Sequence, residues 1–419
     1  MGRRLLMVML LTALGVCLLA VACGTEEPAT TTAGGAVTTA GGTETTAGGT
    51  ETTAAAGGPI KMAFDEGFTG FMAFDAEQCE KGILTGLAML ENQMAGRPVE
   101  YLKADNGSDP VVAVDKARQL VESDGINYMI GPLFSPATQA VTDYLAKAGG
   151  IPQCSLMGQP SDNLQTANKL AFIPAGLYGS WGYYFGRYVS QELGYKTANC
   201  INYEDTAAYN LQSGFERGFA EGGGQVVSVN YVPMDTVDFS AYLSTLKPAD
   251  CTYFWIIGNG SVPFVKQCHD YGLTAPLVVP MANNFVEEQL ADLGEAGLGI
   301  VGCDIYTPLL ENPLNAEYTA AYQKLYPDEP PSTQSYTGWV AVMLYKEALK
   351  LTGGDTTPAK VIEAMSTISI DTPAGKVTMS PYKDAYIGTR DFFIVTTEQV
   401  GDNISWRPVH TYEQVLLGE

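Results

Sequence analysis

From Pro59 onward the chain alternates two kinds of apolar pattern. Short apolar runs bounded by turn residues predict buried parallel strands at IKMAF (60–64), VEYLKA (99–104), INYMI (126–130) and IPQCS (151–155). Between them lie segments with helical spacing. The fullest is DPVVAVDKARQLVESDG, with Val114, Ala117, Leu120 and Val121 in helical register. Asp109 is placed to cap its start, Pro110 stands at the first helical position and Gly125 just beyond the end. A second series follows Pro174, with helices predicted over 176–193, 206–221, 239–246 and 262–271, and strands over 197–203, 225–231, 252–257 and 276–279. After a strand at 299–303 come helices over about 313–325 and 335–350 and a β-rich tail through 376–380 and 391–396. Two βαβ series predict an α/β protein of two lobes, each a parallel sheet flanked by helices. The tail is too short for a third domain and is expected to complete the two lobes.

The first 58 residues follow neither pattern. MGRRLLMVMLLTALGVCLLAVACG has two arginines, an uncharged apolar run from Leu5 to Cys23 and small residues before the cysteine, which predicts a secretory signal over 1–22. Its length also admits an uncleaved anchor helix. Ala20-Val21-Ala22-Cys23 resembles a bacterial lipobox, with Ala20 where that pattern prefers Leu, and implies a lipid on Cys23. Residues 31–58 then repeat every seven positions as TTAGGAV, TTAGGTE, TTAGGTE and TTAAAGG. No position in that repeat holds large apolar side chains, so a coiled coil has no seam to bury. Residues 23–58 read as a flexible tether with a root-mean-square span of about 30–35 Å. The expected location is extracytoplasmic, anchored to the cell membrane through that lipid.

Composition narrows the function. The chain has 419 residues, 46% of them apolar, enough for two cores. Lys and Arg total 23 against 46 Asp and Glu, a net charge of -23, which disfavours nucleic acid as a partner. Beyond Cys17 and Cys23 there are six cysteines, with no CxxC or other metal-ligand spacing, so neither a metal nor another cofactor is expected. With a strand at 252–257 and a helix returning over 262–271, Cys251 and Cys268 fall at one end of the same unit and form a candidate disulfide. In open α/β sheets ligands sit beyond the carboxyl ends of the strands, so site residues are sought just after 64, 130, 155, 203, 257 and 279.

Over about 59–400 the order of segments resembles the branched-chain amino acid (Leu/Ile/Val-binding) group of extracytoplasmic solute-binding proteins of ABC transporters. The resemblance is carried by IKMAFDEGFTG, Gly82 in the first helix, ADNGSDPVVAVDKARQLV, INYMIGPLFS, AKAGGIPQCS, YEDTAAYN, DFSAYLSTLK, FVKQCHDYGLTAP and AGKVTMSP, in order. It implies the two-lobed type I periplasmic-binding fold with three interlobe crossings, near 172–175, near 304–308 and within 380–392. Lobe 1 would be 59–173 with 305–388, and lobe 2 would be 174–304 with 389–419. The two would close on a small polar or carboxylated solute and deliver it to ABC permease subunits.

The resemblance also implies a site. Ser135 matches a serine that holds a ligand carboxylate, between Phe134 and Ala137. Met157, Gly158 and Gln159 match a loop that offers backbone groups, with Gln159 in place of a threonine. Tyr209 matches an aromatic that closes over the ligand, Asp75 a ligand contact in the first loop, and Tyr336 an aromatic at the start of the returning helix. Asn283 stands where amino-acid-binding members carry a carboxylate for the ligand ammonium. A standard α-amino acid therefore needs Asp75 or Asp205 as substitute, because an ammonium buried without a paired charge is costly. Gly260 or Asn259 replaces an aromatic and predicts a larger cavity.

Ser135-Pro136 also fits a plain helix cap, with the N–H groups of Ala137 and Thr138 free at the positive end of the helix and an anion expected there. A hydrolase is disfavoured, since a serine nucleophile needs a nearby base, the only histidines are His269 and His410, and no GxSxG occurs. A sensory binding protein presenting its ligand to a signalling receptor would share the same architecture.

Overall fold

The computed structural model describes residues 57–157 and 167–418, apart from the side chains of residues 287 and 288. The signal segment, Cys23, the tether as far as residue 56, and Gly158 and Gln159 lie outside the described residues. The first part of the chain runs β1 (Ile60–Glu66), α1 (Ala73–Met89), β2 (Gln93–Met94), β3 (Arg97–Asp105), α2 (Pro110–Gln119), β4 (Tyr128–Ile130), α3 (Ser135–Lys147), β5 (Gln153–Cys154) and β6 (Ala171–Ile173). Next come α4 (Tyr178–Gln191), β7 (Thr197–Tyr203), α5 (Thr206–Glu221), β8 (Gln225–Val232), α6 (Ser240–Leu243), β9 (Cys251–Trp255), α7 (Ser261–Asp270), β10 (Leu277–Val279), α8 (Glu287–Leu293) and β11 (Val301–Asp304). The chain ends with α9 (Pro313–Leu325), α10 (Thr333–Leu351), α11 (Pro358–Met365), β12 (Ser369–Thr372), β13 (Gly375–Tyr382), β14 (Ala385–Val400) and β15 (Asn403–Leu416).

The described strands form a mixed sheet in the order β2-β3-β1-β4-β5-β6-β14-β11-β10-β9-β7-β8, with β13 and β15 on β14 and β12 on β13. The halves on either side of β14 are parallel sheets except at β2, and β14 joins them. Tyr386 and Ile387 of β14 run parallel to Phe172 and Ile173 of β6. Further along, Phe393 to Thr396 run antiparallel to β11 from Asp304 back to Val301. The two-lobed α/β architecture follows from that switch of partners along one long strand.

Local signals hold where the chemistry is local. Asp109 caps α2 by accepting the N–H groups of Val111 and Val112 at 2.7 and 3.1 Å, Pro110 opens the helix, and Gly125 takes the left-handed conformation after it. Long-range packing decides the rest. Helix α10 lies on α1 so closely that a Cβ at Gly82 would stand 1.7 Å from the Ser335 carbonyl, and one at Gly338 2.2 Å from that of Cys79. Tyr128 of β4 stacks on Tyr345 of α10, ring centroids 4.3 Å apart. The 14-residue strand β15 escapes the sequence pattern. Its outer face is largely exposed and Pro408 interrupts it, at a register shift opposite Val395. A proline that cannot donate to a ladder is tolerated on such an edge.

Cys251 and Cys268 are not bridged, and all six described cysteines are free and buried. Although both lie on one strand-helix unit, the Cys251 thiol turns along the sheet toward the Thr197 carbonyl at 3.8 Å. Burial pushes both thiols up to about 12.

Pro174, Ile305 and Arg390, from three widely separated stretches of chain, converge at one buried point. Arg390 is fully buried, and its guanidinium donates to the carbonyls of Ile305 (2.8 Å) and Pro174 (3.3 Å) and to the Tyr336 hydroxyl (2.7 Å). Thr372 Oγ1 donates to the Gly375 carbonyl, so the Tyr336 hydroxyl, already accepting from Arg390, donates to Thr372. Tyr336 also stacks on Tyr306 at 4.8 Å. Arg390→Met would leave those acceptors buried without a donor, and we expect a loss of about 3 kcal/mol of stability. The measurement is a lowered urea midpoint at unchanged m-value; an unmoved midpoint would show that the three stretches hold together without the guanidinium.

Candidate functional site

The carboxyl ends of the parallel strands in both halves carry an unusual load of acid. Glu66 ends β1, fully buried, and its carboxylate accepts the N–H of Gly67 at 2.9 Å and that of Leu133 in the loop before α3. It thereby ties the loop after β1 to the loop after β4. Burial pushes its carboxyl up to about 7 against those two N–H groups, and the charge of Asp75 adds to the rise. Asp65 beside it is also buried and well above the usual range, held only by Asn106 Nδ2 at 3.1 Å. In the first turn of α1, Asp75 is likewise raised by burial, partly offset by Gln334, whose Nε2 donates to Oδ1 at 3.0 Å.

Several elements of the second half approach these acids. Asp205 caps α5, accepting the Ala208 N–H at 2.6 Å, and takes the Trp255 indole N–H at 3.3 Å at the end of β9. Burial raises its carboxyl too. Tyr178, at the start of α4, feels the charges of both Asp205 and Asp75. Beyond β10, the Asn283 carbonyl accepts from Gln334 Nε2 at 3.3 Å, and Asn283 Nδ2 reaches Met157 Sδ at 3.6 Å. Asp75, Met157 and Asn283, far apart in sequence, are thus brought together through Gln334.

Other expected site residues stand elsewhere. Tyr336 is fully buried against Arg390 and does not line the cleft. The Ala137 side chain, 1% exposed, packs with Ala63 and Val141 in an apolar cluster behind the sheet, leaving only its N–H at the start of α3. Ser135 is the first helical residue and the cap position is Phe134, whose ring meets Phe71 edge-on at 5.1 Å. The Thr138 N–H is not free, since it donates to the Phe134 carbonyl at 2.9 Å. Tyr209 is 44% exposed and points outward, its hydroxyl 3.2 Å from Glu204 and its ring 4.6 Å from Tyr231. Gly260 does not enlarge the cavity. A Cβ there would fall 1.8 Å from the Tyr203 hydroxyl, which already fills the space and donates to the Thr236 carbonyl at 2.6 Å. Neither histidine serves Ser135: His269 lies at the end of α7 beside Asp270, and His410 on β15 faces Tyr188.

Glu66 and Gln334 escaped the sequence reading. For Glu66 the signal was present, since a charged residue closing a buried parallel strand sits where ligands bind. Gln334 gives no such signal, because its direction depends on the seating of α10 against α1.

A periplasmic binding protein family profile matches residues 59–402. The chain belongs to the periplasmic binding protein family. It is a solute-binding protein rather than an enzyme. The Leu/Ile/Val-binding protein homolog 6 of Brucella melitensis is 25% identical over 334 residues, 77% of this chain and 84% of that protein. An ABC transporter substrate-binding protein from Sphaerobacter thermophilus superposes with a TM-score of 0.80 at 23% identity, over 85% of this chain and 98% of its own. A solute-binding protein from Rhodopseudomonas palustris BisB5, solved in complex with 3,4-dihydroxybenzoic acid, gives 0.78 at 20% identity, over 85% and 98%. The family places the protein outside the cytoplasm. Among the described residues no helix is long and apolar enough to cross a membrane.

Buried acids make this fold's stability depend on pH in a direction opposite to that of paired surface carboxylates. The Glu66 carboxyl loses its proton near the ordinary 4.5 when unfolded and at about 7 when folded. Between those values the folded state holds more protons at Glu66, so this group's contribution to stability is fully present below 4.5 and is lost as pH rises through 7. Glu66→Gln removes this titration, so the unfolding free energy of the wild type relative to the variant should drop by on the order of 3 kcal/mol between about pH 4 and pH 8. Urea unfolding at both pH values measures it; a constant difference would mean that Glu66 ionises freely in the fold.

Proposed function

We propose that this protein is the solute-capturing component of an ABC importer, held at the membrane by a lipid on Cys23 and free to move on the tether of residues 23–58. Lobe 1 comprises 59–173 and 305–388, and lobe 2 comprises 174–304 and 389–419. They close on a small polar or carboxylated solute by bending at the three crossings, and the loaded form delivers it to the permease subunits. The observation that carries this reading is the contact of Gln334 with both Asp75 and Asn283, which joins the strand-end loops of the two halves across the cleft. Further support comes from the convergence of Pro174 and Ile305 on Arg390, which leaves the connections between the halves at one side. The relatives point the same way: Leu/Ile/Val-binding proteins and a 3,4-dihydroxybenzoic acid complex are both concerned with small carboxylated solutes.

A panel of amino acids, aromatic and aliphatic acids, amides and ureas tests it by thermal shift. A solute that binds only the folded state at 100 times its Kd adds about 2.7 kcal/mol and raises Tm by several degrees. Silence across the whole panel would remove the solute-binding reading. For a carboxylated ligand, Ser135→Ala should weaken affinity by roughly five- to tenfold, about 1 kcal/mol, while Tm without ligand stays unchanged. Unchanged affinity would leave Ser135 a purely structural first-turn residue. Cys23→Ser should move the protein from the membrane fraction to the soluble fraction on cell fractionation, and retention in the membrane would exclude lipid anchoring.

A further inference from the structure

At the end of the first half opposite the cleft, a groove of about 400 Å³ runs between the β2–β3 hairpin and the last turns of α10. Leu90, Met94, Ala95 and Leu349 give it an apolar lining, and Lys346 and Lys350, their side chains 40% and 69% exposed, stand at its edge. Lys350 lies sixteen residues beyond Gln334 on α10, about 24 Å along the helix, so the groove takes no part in the solute cleft. The chain enters the fold here. Arg97 donates through Nε to the Gly58 carbonyl at 2.8 Å and through Nη1 to that of Gly354 at 2.9 Å, beside the Gly353 that lines the groove. The segment leading from Cys23 therefore joins the folded body at the groove's end.

Charge at this place runs against that of the chain. Arg97 spends its donors on carbonyls, Lys346 and Lys350 share Glu347 at 3.5 and 2.8 Å, and Glu91 adds a second acid next to Leu90. Beyond Gly354, Lys360 and Asp355 pair with each other at 2.6 Å and cancel. Three cations thus stand against two acids on a chain whose net charge is -23. Leu351, 61% exposed, ends α10 beside them. We propose that the groove seats an anionic phospholipid of the membrane to which Cys23 is attached, its phosphate between Lys346 and Lys350 and its apolar part on Leu90, Met94 and Leu349. The lysine ammonium groups offer a phosphate charge-assisted hydrogen bonds, and the apolar lining suits a lipid rather than the free anion. Basic side chains are drawn to an anionic leaflet within a Debye length of about 8–10 Å. A tether that joins the body at this end brings the groove, rather than the cleft, to the surface first. Seated this way, the first half stands on the membrane with its cleft turned to the solution. The inference rests on the lipid-anchor reading and adds the face that the body presents to the bilayer.

Fluorescence of the lipidated full chain tests it. An environment-sensitive thiol dye on Leu351→Cys reports from one place, because the six described native thiols are buried. The chain is reconstituted in vesicles of phosphatidylcholine alone and of equal parts phosphatidylcholine and phosphatidylglycerol. The expected result is a blue shift in the phosphatidylglycerol vesicles that raised salt reverses. Lys346→Gln with Lys350→Gln should abolish the shift without lowering Tm, since both ammonium groups stand at the surface. The same dye on Val229→Cys, exposed on β8 in the other half, should show no shift. Equal spectra in the two vesicles, an undiminished shift in the double variant, or a shift at residue 229 as large as at residue 351 overturns the inference. So does a shift produced by inorganic phosphate in phosphatidylcholine vesicles, which would make the groove a site for the free anion. Flotation separates the two readings. A chain that floats with the vesicles but shows no shift keeps its lipid anchor and loses this face, and a chain that does not float loses both.

Discussion

Arg390 is the constraint on which the arrangement depends. A guanidinium taken fully out of water is costly unless its donors are met, and here they meet backbone carbonyls from two other stretches of chain and a tyrosine hydroxyl that is itself engaged. The hydrogen-bond geometry of one planar group therefore sets where Pro174, Ile305 and β14 lie relative to one another. Asp304, two residues from Tyr306, sits in the same region with its carboxyl pushed up to about 7 by burial against the hydrogen bonds of the Ile305 N–H and the Thr333 hydroxyl, with a smaller pull from the charge of Arg390. Because β14 pairs with β6 at one end and β11 at the other, whatever fixes β14 at Arg390 fixes the register of both half-sheets. The strand-end loops then face each other in one alignment.

Those loops concentrate like charge where a soluble protein ordinarily avoids it. Glu66, Asp75 and Asp205 are all held above the usual carboxylate range, chiefly by burial. The net charge of -23 says nothing about this, since most acidic residues could be solvated at the surface. What matters is that three are placed at the ends of buried strands and at the starts of helices, each stabilised by a few N–H groups rather than by cations. Holding carboxyls there costs desolvation free energy that no ion pair among the described residues offsets.

The loop before α3 shows how local and tertiary chemistry divide the work. A serine followed by proline at a strand-to-helix turn is legible as a helix start, and the helix does start there. Which atoms at that start are available is a tertiary matter. The Leu133 N–H is taken by Glu66 from the neighbouring strand, and the Thr138 N–H by the Phe134 carbonyl. Gly260 makes the same point from the other half, because what looks like an emptied pocket in sequence is the seat of the Tyr203 hydroxyl.

The sequence by itself determined the alternation of buried strands and amphipathic helices, the capped ends of α2 and the strand-end loops in which the site lies, because each depends on periodicities and caps within a few residues. It could not determine which side chains of those loops and helices face the cleft. Two positions apart on α10, Gln334 is turned to Asp75 and Asn283 while Tyr336 is turned to Arg390. Successive helical residues are rotated by about 100°, so the seating of α10 against the glycine-lined face of α1 sends one into the cleft and the other into the buried crossing. That seating is fixed by contacts between residues some 250 positions apart, such as Ser335 over Gly82, and no local pattern in the chain records it.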